Sequence, residues 1–292
     1  MFELIQVGER TFYIDCPSKI GICLSDGGVV CLVDSGIGEE SGRRALEIIT
    51  GRGWTLGMII NTHSHADHMG GNKFLQEAAG CPAYAAGTDA AVISNSVLNT
   101  AILYGGNPPD WMSGRLLYAP PSNVRELDGS VLPDGVTVRR LDGHSFAMIG
   151  VRSADGVWFL ADALMNEATL DKYHIPFILD YKKHFETLSS LETLEGELFI
   201  PSHFPPIENP KALAAANREK IIEIAEKLLK ICETPASFDD IIKKLFDSYG
   251  LKTEVNQYML GGCSIRSMLS YLCRDGRIGH SFADNRLLWK SS

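Results

Sequence analysis

The stretch Ile59-Ile60-Asn61-Thr62-His63-Ser64-His65-Ala66-Asp67-His68-Met69-Gly70-Gly71 decides how the rest of the chain is read. Leu56-Gly57-Met58-Ile59-Ile60 is an apolar run of strand length, read as fully buried. Four groups able to bind a metal follow it within six residues, His63, His65, Asp67 and His68. Four unpaired polar groups at the end of a buried strand would be very costly to bury without a partner. Imidazoles suit borderline metals such as zinc, and carboxylates widen the choice to harder ions. The i, i+2 spacing puts His63 and His65 on one side of an extended segment. Asp67 and His68 then turn away toward a second ion, and Gly70-Gly71 is read as a tight turn into a helix.

Working outward, three more residues sit at strand ends. His144 lies in Asp142-Gly143-His144-Ser145 after VTVRRL, Asp162 ends the apolar run VWFLA, and His203 follows LFIPS directly. Alone, each would be read as a loop or turn residue. Beside the 63–68 cluster they become candidate ligands, and five of the chain's eight histidines fall at these positions. The other three, His174, His184 and His280, lack such contexts and read as surface or packing residues.

The runs ELIQV, TFYID, VVCLVDSG and LGMIIN read as strands of a first block, with a helix over Glu39–Thr50. VTVRRLDG, MIGVRS, VWFLADAL and LFIPS form a second block, with a helix over about Tyr181–Leu194. Two strand-then-helix blocks suit two sheets packed face to face with helices outside. Tyr104–Ser122 reads as a long surface loop of functional length. Beyond Pro210 come three amphipathic helices, Lys211–Cys232, one starting near Ser237, and Gln257–Arg274, closed by a short hairpin. That order predicts two domains, 1–208 catalytic and 209–292 winged-helix-like.

The charge balance divides at the same place. Residues 210–292 carry thirteen Lys/Arg against ten Asp/Glu, and residues 1–209 carry fourteen against twenty-six, within an overall net charge of −9. An acidic chain argues against a generic nucleic-acid binder. A 45% hydrophobic and 22% charged composition is that of a globular protein, and no run reaches the about 18 apolar residues of a membrane span. The opening MFELIQVGERTFYID lacks a signal-peptide pattern, and the seven cysteines are scattered without a C-x-x-C pair. Free thiols and a cytoplasmic location are the expectation.

With these motifs in view, the chain resembles the metallo-β-lactamase superfamily. LVDSG, THSHADHMGG, DGHS, FLADAL and IPSH occur in family order across about residues 1–208, and H-x-H-x-D-H is met at 63–68. The resemblance implies an α+β fold, a four-layer αββα sandwich with its metals at the sheet edge. It implies one ion on His63, His65 and His144, another on Asp67, His68 and His203, and Asp162 bridging them as in glyoxalase II. Asp34 of LVDSG would orient a ligand from behind. Two divalent ions, zinc first and iron or manganese as alternatives, would sit about 3.5–4 Å apart and share a bridging hydroxide that attacks an ester, thioester or phosphodiester. The centre would keep a charge of about +1, suiting an anionic or polarised substrate, and Asp67 would guide the nucleophile or shuttle a proton.

Departures from the pattern narrow this expectation. Asp162 stands where secreted lactamases carry Cys, which sets the chain apart from antibiotic hydrolysis. The last motif reads Pro201-Ser202-His203-Phe204, and Phe204 is expected to reshape the pocket wall. Lys172 and Tyr173 are further candidate substrate contacts. The expected partner is a small molecule, with no membrane and with RNA and a homodimer as alternatives. The alternative activities are a metal-dependent endoribonuclease and a single-iron persulfide dioxygenase. The third C-terminal helix offers only Arg266 and Arg274 as basic groups, which favours dimerisation or pocket covering over nucleic-acid reading.

Overall fold

The computed structural model describes residues 2–292. Its first sheet runs in chain order through β1 (Glu3–Gln6), β2 (Thr11–Asp15), β3 (Ile20–Leu24), β4 (Val29–Val33), β5 (Thr55–Ile60), β6 (Ala83–Ala85) and β7 (Val124–Glu126). The first four strands are antiparallel neighbours, and β4 to β7 are parallel. The parallel half needs crossovers. These are α1 (Gly38–Gly51), then α2 (Ala66–Met69) with α3 (Asn72–Ala79), then α4 (Gly87–Ser94) with α5 (Val97–Tyr104). The second sheet has the order β11 (Leu198–Pro201), β10 (Val157–Ala161), β9 (Ile149–Arg152), β8 (Thr137–Arg140), with β10 and β11 parallel. Helices α6 (Glu167–Tyr173) and α7 (Tyr181–Leu191) link those two strands.

The layers follow from which side chains each sheet buries. Between the sheets, Tyr13, Cys31 and Val33 meet Val151, Phe159 and Ile200 in a shared core. On the outer face of the first sheet, Ile22, Val30 and Leu32 pack against Ala45, Ile49 and Leu75 of α1 and α3. On the outer face of the second, Trp158 and Leu160 pack against Tyr181, Leu188 and Leu191. The result is the four-layer αββα order. Each of these side chains, taken fully out of water, contributes about 1.5–3 kcal/mol.

The C-terminal segment holds α8 (Lys211–Ile231), α9 (Phe238–Tyr249) and α10 (Val255–Arg274), with a small antiparallel sheet of β12 (Ala236–Ser237), β14 (Arg286–Ser291) and β13 (Ile278–Ala283). Ser237 begins α9 through a reciprocal capping box with Asp240. Ile221, Ile224 and Leu228 of α8, Leu245 of α9 and Leu269 of α10 lie in the same buried cluster as Leu160 and Tyr181. The hydrophobic core therefore continues past residue 208 without a break. No helix among the described residues is long and apolar enough to cross a membrane.

Candidate metal centre

All seven sequence-predicted ligands meet at one edge of the sandwich, where strands of both sheets end. Asp34 follows β4, and Thr62 and His63 follow β5. His65, Asp67 and His68 sit on or beside α2, His144 lies in the β8–β9 loop, Asp162 follows β10 and His203 follows β11. Two backbone hydrogen bonds join the sheets here: Lys19 N–H donates to Ser202 O at 3.0 Å and Ile149 N–H to Thr62 O at 3.0 Å. Asp162 is turned into the site by local irregularity. Ala161 takes φ 51°, and the β10–β11 register shifts between Phe159 and Ala161. Such a conformation costs of order 1–3 kcal/mol and persists only where surrounding structure imposes it.

The ligand atoms form two groups. His63, His65, His144 and Asp162 converge on one point, and Asp67, His68 and His203 on a second, the atoms of each group lying within 4.8 Å of one another. Asp162 reaches both, with Oδ2 3.5 Å from His144 Nε2 and 3.2 Å from His203 Nε2, and Oδ1 3.3 Å from His68 Nε2.

Outer partners decide which nitrogen of each ring faces inward. Thr62 Oγ1 donates to Asp34 Oδ2 at 2.7 Å, so its remaining lone pairs face His63 Nδ1 at 3.0 Å and take that ring's proton. The Nδ1–H of His68 donates to Asp34 at 2.8 Å, that of His144 to Phe177 O at 3.0 Å, and that of His203 to Pro17 O at 2.9 Å. In all four rings Nε2 is the nitrogen turned into the cluster. His65 Nδ1 lies 3.0 Å from His63 Nε2 and 2.9 Å from His144 Nε2. At most one proton can lie among these three nitrogens. His68 Nε2 and Asp162 Oδ1 are buried without any hydrogen-bond partner. Imidazole nitrogens and carboxylate oxygens gathered at two points fit cations, and the nitrogen and oxygen donor set suits zinc, iron or manganese.

The protonation preferences differ between the two groups. Burial, with the neighbouring imidazoles, pushes the pKa of His63 well down and that of His144 to about 3, so both rings stay neutral and able to coordinate. Burial opposes ionisation of Asp162, but His203 and His68 outweigh it and hold the carboxyl well below its usual range. Burial lowers His203 as well, yet Asp162 and Asp67 override it and lift that ring to about 9, and the same carboxylates raise His68 against its burial, so in the second group a cation would displace protons that these rings otherwise hold.

Several supports carry no motif in the sequence. Asp89 of α4, fully buried, accepts from Ser64 N–H at 3.2 Å, Ser145 Oγ at 2.8 Å and Ala147 N–H at 2.7 Å. It thereby ties the loop of His63 and His65 to the loop of His144. A lone acid beside the apolar run Ala90-Ala91-Val92-Ile93 is the one sequence signal for it. Ser18 Oγ donates to Asp67 Oδ2 at 2.6 Å, and Asn99 Nδ2 donates to Ser64 O. The glycine pair also has a different reason from the expected turn. Gly70 and Gly71 have φ of −62° and −85°, ordinary for any residue. A Cβ on Gly70 would collide with the Gly38 backbone, and one on Gly71 with Ser35 O and Gly42. Close approach of the end of α2 to Ser35 and to the first turns of α1 is what requires glycine there.

A cavity of about 570 Å³ opens over the cluster, and Lys172, Tyr173 and Phe204 are among the residues that line it. Asp34 lies behind the cluster, 2% exposed.

Comparison with known proteins agrees with the fold. Residues 20–203 match the sequence profile of the Metallo-beta-lactamase superfamily. A hydroxyacylglutathione hydrolase from Methylococcus capsulatus is 50% identical over 44 residues, 15% of this chain and 17% of that protein. One from Erythrobacter litoralis is 42% identical over 64 residues, 20% of this chain and 26% of that protein. These matches span less than a third of either relative's length. Among solved structures, a beta-lactamase domain protein from Burkholderia ambifaria superposes with TM-score 0.74 at 18% identity, covering 99% of this chain and 94% of that one. A metallo-beta-lactamase family protein from Thermus thermophilus gives TM-score 0.69 at 18% identity, covering 100% and 98%. With the profile spanning well over half its length and the ligand motifs in their expected places, this chain belongs to the metallo-beta-lactamase superfamily.

Proposed function

We propose that the chain is a metal-dependent hydrolase of an ester, thioester or phosphodiester, with His63, His65 and His144 holding one divalent ion, Asp67, His68 and His203 a second, and Asp162 shared between them. The observation that carries this reading is the convergence of imidazole nitrogens and carboxylate oxygens on the floor of an open cavity. When bound, divalent ions supply a lowered pKa of water and polarisation of a carbonyl or phosphoryl oxygen. Zinc is the first choice for this donor set, with iron or manganese as alternatives.

The chain's own residues do the positioning. Asp67, anchored by Ser18, presents a carboxylate at the cavity floor, where it can orient an attacking water and take its proton. Asp34 fixes the His68 ring, and Phe177 O fixes that of His144. Lys172, Tyr173 and Phe204 are proposed substrate contacts. We propose a small-molecule substrate and a cytoplasmic location. We assign the winged-helix-like segment 209–292 to covering the pocket, since Leu260 of α10 lines the cavity.

Metal content with stoichiometry is the primary test. Close to two equivalents of zinc, iron or manganese are expected, with turnover of a generic thioester or phosphodiester lost in His65→Ala. Activity that persists in that variant overturns the metal mechanism. One iron per chain with oxygen uptake on a persulfide would replace it with the dioxygenase reading. RNA cleavage that weakens steeply with salt would replace it with the nuclease reading.

A further inference from the structure

The walls of the cavity carry the hydrolase reading, on which this inference rests, to a class of substrate. Its floor is the ligand cluster, and above that floor the lining is mostly hydrocarbon, from residues such as Leu103, Leu117, Phe177, Leu179, Phe204 and Leu260. Asn99, Asn166, Thr169 and Tyr173 are among its polar members. Beyond the two aspartates of the cluster, Lys172 is the only charged side chain among the described residues that line it. At the rim, Ile102 is 38% exposed and Leu116 54%. Of the six large hydrophobic side chains exposed between Val97 and Leu116, these two line the cavity. The apolar lining therefore continues out of the cavity onto its lip at Ile102 and Leu116, alongside the exposed Lys172 and Tyr173. Apolar surface gathered at one mouth marks a binding site, unlike scattered single residues.

The apolar wall is part of the site's framework. Ser264 of α10 donates to Pro176 O at 2.7 Å and accepts from Ile178 N–H at 3.2 Å, pinning the strap between them. That strap carries Phe177, whose carbonyl holds His144 and whose ring meets His65 edge-on at 5.1 Å. Met259 and Cys263 of α10 pack with Leu103, Met112 and Leu117 to close the other side. A substrate group lying here exchanges water for hydrocarbon on several sides. A multiply charged group would find one cationic side chain above the floor, Lys172, to set against its anionic charges.

We propose that the substrate is an ester or thioester whose acyl group is a hydrocarbon chain, lying from the ligand cluster past Phe177 and Leu260 toward Ile102 and Leu116, with at most one anionic group set against Lys172.

Two length series test this on the metal-loaded full chain. Hydrolysis of straight-chain acyl thioesters of N-acetylcysteamine, from acetyl to dodecanoyl, is expected to gain about fourfold in kcat/KM per added methylene until the cavity fills. Calorimetric binding of straight-chain carboxylates over the same range is expected to tighten by a similar factor, independently of turnover. Ile102→Glu and Leu116→Glu, both at exposed positions that tolerate charge, should lower the dodecanoyl-to-acetyl ratio at least about tenfold, with melting temperature as the check on folding. Turnover with a flat or falling length series in both assays overturns the proposal and leaves the hydrolase reading intact. A rising binding series without turnover supports the hydrocarbon pocket and overturns the thioester arm of the proposal. Absence of both overturns the proposal, while the hydrolase reading stands or falls on metal content and the His65→Ala variant.

Discussion

Replacing Asp34 by Asn separates the orientation of the ligands from the ligands themselves. Asp34 has φ 63°, and Asn tolerates the left-handed region, so backbone and volume are kept. The carboxylate accepts three hydrogen bonds: Thr62 N–H at 2.7 Å on Oδ1, and Thr62 Oγ1 at 2.7 Å and His68 Nδ1 at 2.8 Å on Oδ2. A carboxamide offers one oxygen. Either that oxygen serves Thr62 N–H and the amide NH2 confronts His68 Nδ1–H, or it serves the other pair and the NH2 confronts Thr62 N–H. One buried donor is unpaired in both cases. Losing one charge-assisted bond costs about 1.5–3 kcal/mol of stability. The affected groups set the His68 ring and the entry to His63, so metal affinity should fall about 10–100-fold, or about 1.4–2.7 kcal/mol. Urea unfolding of the metal-stripped chain reads the first quantity, and zinc competition against a chelator reads the second. Affinity within about twofold of the parent, in a folded variant, would refute the claim that Asp34 pre-orients the site.

Other perturbations have equally definite outcomes. Asp89→Ala removes the tie between the two ligand loops and should cost about 3 kcal/mol or more, with metal lost from the His63, His65 and His144 group first; unfolding and metal content report it. Gly71→Ala should destabilise by about 1–3 kcal/mol through overpacking against Ser35 and Gly42 despite its ordinary φ, and a neutral result would mean that α2 approaches less tightly than these contacts require. Burial, with Arg218 adding to it, holds buried His184 down to about 4 from the ordinary 6.5. The unfolded chain therefore takes up this proton first as pH falls, and native stability drops through the window from 6.5 toward 4. Between pH 7 and pH 5 the wild type should lose about 2 kcal/mol more than His184→Leu, in which all the other titrating groups cancel; equal losses would mean that the ring titrates normally.

Much of the site is legible in the amino-acid sequence, because chemistry that needs many ligands leaves a dense local record. The 63–68 cluster is such a record, and the strand-end positions of His144, Asp162 and His203 can be read from apolar runs that stop on a polar residue. Amphipathic periodicity likewise marks α1, α7 and the three C-terminal helices. Elements without periodicity escape such a reading. Ala83–Ala85 is a three-residue parallel strand with no alternation, and α5 is apolar nearly all round, so no stripe distinguishes it.

What the sequence determined by itself was the set of reactive groups and the family framework that carries them. Hydrophobic period and ligand density are properties of neighbouring residues and survive in a linear string. Only the tertiary structure decided that Asp89 joins two ligand loops 25 and 56 residues away, measured from Ser64 and Ser145. It also decided that Gly70 and Gly71 serve close approach, and that α10 walls the cavity over the cluster. Those facts depend on distances between segments remote in the chain, which are set when the two sheets pack and the C-terminal helices close over their edge.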